Sequence, residues 1–168
     1  MSFTFYDGTI AVIQSTLKSL THVLRQAETR PDATALLEAR LYEDMYPLTD
    51  QVRLATQFSE NVAAKLTGRE PVVFEGKPTT YAECYERIDT VLEVLGKADK
   101  DVVNQHSDIV SPSKVGGNLT MDVSGAVYAH TMAMPNIYFH LTTAYDILRK
   151  EGVPLGKRDY YAGFFPLS

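Results

Sequence analysis

The chain has no excess of basic residues, no pair of cysteines and no long apolar run, and each absence removes a class of protein. Lys and Arg number 16 against 21 Asp and Glu, a net charge of −5, so no basic field exists to draw in nucleic acid or an anionic lipid surface. Cys84 stands alone, which rules out an intramolecular disulfide and agrees with a reducing compartment. No apolar stretch approaches the length of a bilayer span. The opening Met1-Ser2-Phe3-Thr4-Phe5-Tyr6-Asp7 has no basic segment followed by an apolar run and a cleavage site, as a secretory leader would. The expectation is a cytoplasmic protein without nucleic-acid or membrane partners. Several chemical signatures are missing as well: a phosphate-cradling glycine loop, a paired-cysteine zinc site, a nucleophile-elbow serine and a close helical pair of histidines.

What is present is helical periodicity. At 168 residues, 45% apolar and 22% charged, the chain suits one domain over residues 1–168 with a core large enough to need no staples. Ile10, Ile13, Leu17, Leu20 and Leu24 form one stripe, which predicts a first helix from about Asp7 to Ala27. Asp32 is placed to cap a short helix reaching Leu41. Pro47 suits the first turn of a second long helix, striped by Leu48, Val52, Ala55, Val62 and Leu66 and stopped at Gly68. Thr80 and Glu83 form a capping-box pattern before Cys84, Ile88, Val91 and Leu95. Between Lys97 and Gly125 the period lapses, and residues 109–111 and 118–121 flank Gly116-Gly117 as a small hairpin. A last helix spans about Ala126 to Lys150, with a kink expected at Pro135 and a stop at Gly152. The pattern predicts an all-α four-helix bundle with one short extra helix and a small hairpin before the last helix.

Chemistry concentrates on that last helix. Positions 130, 133, 137, 140, 144 and 147 share a stripe, so His130 and His140 are both expected to face inward. Ten residues apart, about 15 Å of helix rise, they cannot hold one metal together unless the kink at Pro135 is severe. Asn136, one turn before His140, is expected to bond its imidazole and fix the tautomer, giving an oriented general base. At the start of the second long helix, Asp44 is expected to reach toward a histidine, while Tyr46, Tyr138 and Asp50 are candidate substrate contacts. His22 is expected on the exposed side, and Cys84 as a small buried apolar group. The aromatic tail Tyr160-Tyr161-Ala162-Gly163-Phe164-Phe165 suggests a surface seeking a partner, hence a homodimer.

Three runs carry a family resemblance. They are Ala39-Arg40-Leu41-Tyr42-Glu43-Asp44-Met45-Tyr46-Pro47-Leu48; Phe74-Glu75 with Thr79-Thr80-Tyr81; and Pro135-Asn136-Ile137-Tyr138-Phe139-His140-Leu141-Thr142-Thr143-Ala144-Tyr145, continuing to Gly152-Val153-Pro154-Leu155-Gly156-Lys157. Over nearly its whole length the chain resembles a domain-of-unknown-function family, number nineteen ninety-three, of the DinB/YfiT-like metalloenzyme superfamily. The resemblance implies a four-helix bundle, commonly dimeric, with His130 and His140 at family positions. It also implies a divalent metal held by one histidine on the second helix and two on the last, four residues apart. This sequence has no histidine between Tyr46 and Leu66, and Asn136 stands four residues before His140. A cation could otherwise be held by Asp44 or Asp50 with one histidine.

The leading functional expectation is a small-molecule enzyme of the isomerase, lyase or transferase type. His140, Asn136, His130 and Asp44 would handle protons in a pocket within the bundle, with no assigned cofactor. A non-catalytic ligand-binding or protein-interaction bundle is the alternative, and a divalent-metal-dependent transferase of the DinB-like kind is the second.

Overall fold

A computed structural model describes residues 2–165. A short helix, α1 (Phe5–Gly8), precedes the first long one, α2 (Ile10–Glu28). Thr4 and Asp7 cap α1 reciprocally, and the chain bends at Thr9, whose hydroxyl donates to Phe5 O at 2.7 Å. The apolar stripe of α2 is fully buried. The short α3 (Ala33–Leu36) stops before Leu41, because Leu36 and Leu37 turn into the core and Leu37 O accepts from Thr49 N. Asp32 is no side-chain cap for it: both carboxylate oxygens accept from Arg30.

The second long helix, α4 (Leu48–Thr67), has the expected stripe buried and ends on left-handed Gly68, whose φ is 70°. In α5 (Tyr81–Gly96), Thr80 caps Glu83 N, while the Glu83 carboxylate takes Thr79 N and Oγ1 instead of closing the box. Between them, residues 69–80 are strapped to α4. Buried Glu60 accepts from Nη1 and Nη2 of Arg69 and from Val72 N, and Gln57 bonds Val72 O and Phe74 N.

A further helix, α6 (Lys100–His106), occupies the stretch where periodicity lapses; it is too short to show a stripe, and Asp99 caps it by accepting from Asp101 N and Val102 N. The hairpin pairs β1 (Val110–Gly116) with β2 (Leu119–Ser124) antiparallel, longer than the sequence predicts.

The last helix is composite: α7 (Gly125–Val127), a π-helical turn (Tyr128–Ala133) and α8 (Met134–Lys150). Pro135 lies in the first turn of α8, where its missing N–H is tolerated, and the strain is taken up before it: Met134 N reaches back five residues to Ala129 O. Gly152, at φ 81°, ends α8 with Val153 N on Leu148 O.

The helices form a ring in which α2 neighbours α5 and α8, and α4 neighbours α5 and, most extensively, α8. The C-terminal segment, including α9 (Lys157–Tyr160), folds back on α2. Gly163 N donates to Ser19 Oγ at 2.9 Å, and a Cβ at Gly163 would run into Ser15 O. Tyr160, Tyr161 and Phe164 pack on one another and around this contact, so much of the tail's aromatic surface is spent within the chain. Residues 166–168 of the tail lie outside the described residues. No helix is long and apolar enough to cross a membrane among the described residues.

Candidate functional site

The seam between α4 and α8 brings a polar pair into the apolar core. Gln51 lies three residues after inward Leu48 and four before inward Ala55, so its side chain is carried inward and is 2% exposed. Its Nε2 donates to Tyr46 O at 2.9 Å, which turns Oε1 toward Nδ1 of His140 at 2.8 Å. An amide oxygen only accepts, so Nδ1 carries the imidazole hydrogen and Nε2 bears the lone pair. Nε2 makes no hydrogen bond among the described residues, and the only buried atoms there without a partner are Thr21 Oγ1 and Thr49 Oγ1. The lone pair therefore reaches the surface through the 7% of His140 that remains exposed. Phe58 stacks on the imidazole at 6.0 Å, and Phe139 meets it edge-on at 5.4 Å.

Burial, and then the nearby Arg53 guanidinium, push the His140 pKa down to about 4, so the ring is neutral at physiological pH. Arg53 itself pairs with Asp50 at 2.6 Å and sits 6.0 Å from the Tyr46 ring centre. The surroundings of Nε2 are thus aromatic, with one compensated ion pair at the rim.

Of the residues singled out in the sequence, His140, Asp50 and Tyr46 come together here; the others do not. Asn136 Nδ2 donates to Met132 O at 2.6 Å, one turn back on its own helix, so it is not the imidazole's partner. His130 is exposed and meets Phe5 edge-on, because the wide π turn rotates it off the stripe that His140 occupies. Asp44 is exposed on the turn before α4, its carboxylate accepts no hydrogen bond among the described residues, and it does not enter the bundle. Tyr138 is half-buried toward Tyr160, where burial raises its phenol pKa. His22 is half-buried and bonds Asp159 at 2.8 Å. Cys84 is buried, its thiol pushed up to about 12 by desolvation. Gln51, Arg53 and Phe58 were missed; for Gln51 the signal was present, a long amide on an otherwise apolar stripe.

The divalent metal implied by the superfamily does not fit these donors. Among the described residues no three His, Cys, Asp or Glu side chains cluster. Around His140 the remaining candidates are the amides of Gln51 and Asn136, neutral and weaker ligands than imidazole, thiolate or carboxylate, and a carboxylate held by Arg53. Two surface clefts, of about 420 and 510 Å³, lie elsewhere, one between residues 74–79 and α5, the other between α2 and the C-terminal segment.

No functionally curated protein matches the chain. A crystal structure of a DinB family member from Shewanella denitrificans is similar at 32% identity and a TM-score of 0.84, covering 97% of this chain and 94% of that one. The model of a domain of unknown function (DUF1993) matches residues 5–161, nearly everything that forms the bundle and its seam. On that match the chain belongs to the DUF1993 family, with the fold of a DinB family member.

Proposed function

We propose that this protein binds a small polar molecule at the α4–α8 seam, with Nε2 of His140 accepting a hydrogen bond from a hydroxyl or N–H of the ligand. The observation that carries the reading is a buried, neutral imidazole whose Nδ1 is committed to Gln51 while Nε2 has no partner among the described residues. That nitrogen opens to the surface from an otherwise buried ring, and Phe139 and Tyr46, 54% and 59% exposed, offer apolar faces for the rest of a ligand.

Catalysis of the isomerase, lyase or transferase type is the second reading, favoured by the same open lone pair. A base with a pKa near 4 transfers protons poorly at neutral pH, which is why binding comes first. A thermal-shift screen of hydroxylated and amide-bearing metabolites separates the two. Ligand at a hundred times its dissociation constant adds about 2.7 kcal/mol of stability. His140→Gln, which keeps a hydrogen-bonding side chain but does not titrate, retains part of that response under the binding reading. Turnover that is present in the native chain and absent in His140→Gln replaces binding with catalysis. A screen in which no compound distinguishes native protein from His140→Ala sinks both.

As for assembly, exposed Tyr42, Tyr46 and Phe139 support a homodimer formed on this side of the bundle. Light scattering that finds only monomer at micromolar concentration counts against it.

A further inference from the structure

The DinB/YfiT-like resemblance implies a metal held between the second long helix and the last one, the two helices that this chain joins by the Gln51–His140 hydrogen bond. A divalent cation held between the second long helix and the last one needs several basic donors that point at a common spot and have lone pairs to spare. On α4, the side chain that faces His140 is Gln51, a neutral amide with both ends used, Nε2 on Tyr46 O and Oε1 on His140 Nδ1. On α8, the residue four before His140 is Asn136, whose amide nitrogen is bonded to Met132 O and has no lone pair to give, leaving only a neutral amide oxygen, a weak ligand. The carboxylate at the seam, Asp50, is paired with Arg53 at 2.6 Å, so its charge is already compensated and is not free for a cation. One imidazole nitrogen is left as a good ligand, and one is too few for a tight site.

We infer that the Gln51–His140 hydrogen bond has replaced a divalent-metal centre, so that this chain is a metal-free member of its fold in which Gln51 acts as the positioning residue of the imidazole. The task a metal would otherwise perform, fixing the ring and pointing one nitrogen at the seam, is performed by the amide. The inference stands on the donor set and not on the identity of any ligand, so it can fail while the ligand reading survives, and the reverse.

The test uses the full chain, stripped with chelator and labelled with nitrogen-15. Zn²⁺, then Ni²⁺ and Mn²⁺, are titrated at neutral pH by calorimetry while the His140 ring nitrogens are followed by NMR. The expected result is no one-to-one binding event and unmoved His140 resonances in metal excess. Stoichiometric binding that shifts those nitrogens, and that His140→Gln abolishes, overturns the metal-free assignment. For the positioning role, Gln51→Ala is expected to leave the chain folded, as judged by its circular dichroism, with the ring no longer fixed in the Nδ1–H tautomer. An unchanged tautomer in folded Gln51→Ala removes that role. Should Gln51→Ala fail to fold, Gln51→Glu is read instead: a carboxylate facing Nδ1 raises the His140 pKa if the two side chains touch, and an unmoved pKa overturns the contact.

Discussion

The two halves of the last helix differ by a single wide turn, and that turn decides which histidine enters the core. In α8, regular spacing buries Ile137, His140, Leu141, Ala144, Ile147 and Leu148 against α4 and α2. In the π-helical half, with more residues per turn, Tyr128, Ala129 and Ala133 are buried while His130 and Thr131 face outward. The lesson is that one proline, acting through the turn before it, can strip a histidine of the environment that would make it chemically interesting. It leaves that environment intact ten residues on.

The comparison is broken most forcefully in the core. Leu141→Ala, in the buried half, is expected to cost about 3 to 4 kcal/mol and to lower the melting temperature by about 10 °C. Thr131→Ala, in the outward-facing half, is expected to cost no more than about 0.5 kcal/mol. Denaturant unfolding of the two variants checks this, and equal losses would mean that the π turn does not set the two halves apart.

Titration sharpens it next. Because His140 is held neutral, its folded pKa of about 4 lies below the unfolded value near 6.5. Above pH 6.5 neither state takes up the proton, so the imidazole has no influence on stability there. As pH falls from 6.5 to 4 the unfolded chain protonates first and stability drops, by on the order of 3 kcal/mol, levelling off below the folded pKa. Arg53 and Asp50, paired with each other, are the charged groups beside the ring. Subtracting the pH profile of His140→Gln from that of the native chain is expected to leave this slope; a flat difference contradicts the burial of His140.

Smaller effects follow. Gln51→Leu strands Nδ1 of His140 and Tyr46 O, and is expected to cost about 1 to 3 kcal/mol, read from the shift in denaturation midpoint. His130→Ala, exposed against Phe5, is expected to stay within about 0.5 kcal/mol of native. A loss there as large as that of Gln51→Leu would place His130 back in the core.

The bundle itself was legible because its signals are repetitive. The stripes of α2, α4 and α5 each supply several apolar residues in phase, and Gly68 and Gly152 stop their helices where a left-handed residue is needed. The site was legible only in part. His140 stood out by type and stripe, but its partner depends on which residue of α4 lies opposite, a tertiary fact that local spacing does not carry. Spacing of four therefore pointed to Asn136, whereas the Asn136 amide bonds Met132 O on its own helix and the imidazole bonds Gln51 across the seam. Asp44 looked inward on helical spacing that does not apply, since the chain before Leu48 is turn and not helix. Short α6 escaped because seven residues are too few to show a period.

The central claim, a neutral imidazole oriented by Gln51 with Nε2 turned to the seam, is tested most directly by nitrogen-15 NMR of the His140 ring as pH is lowered. The account predicts a single tautomer, Nδ1 protonated and Nε2 bare, persisting from neutral pH to about pH 5 and titrating near 4. A ring that carries its hydrogen on Nε2, or that titrates near 6.5 as a free histidine does, would contradict it.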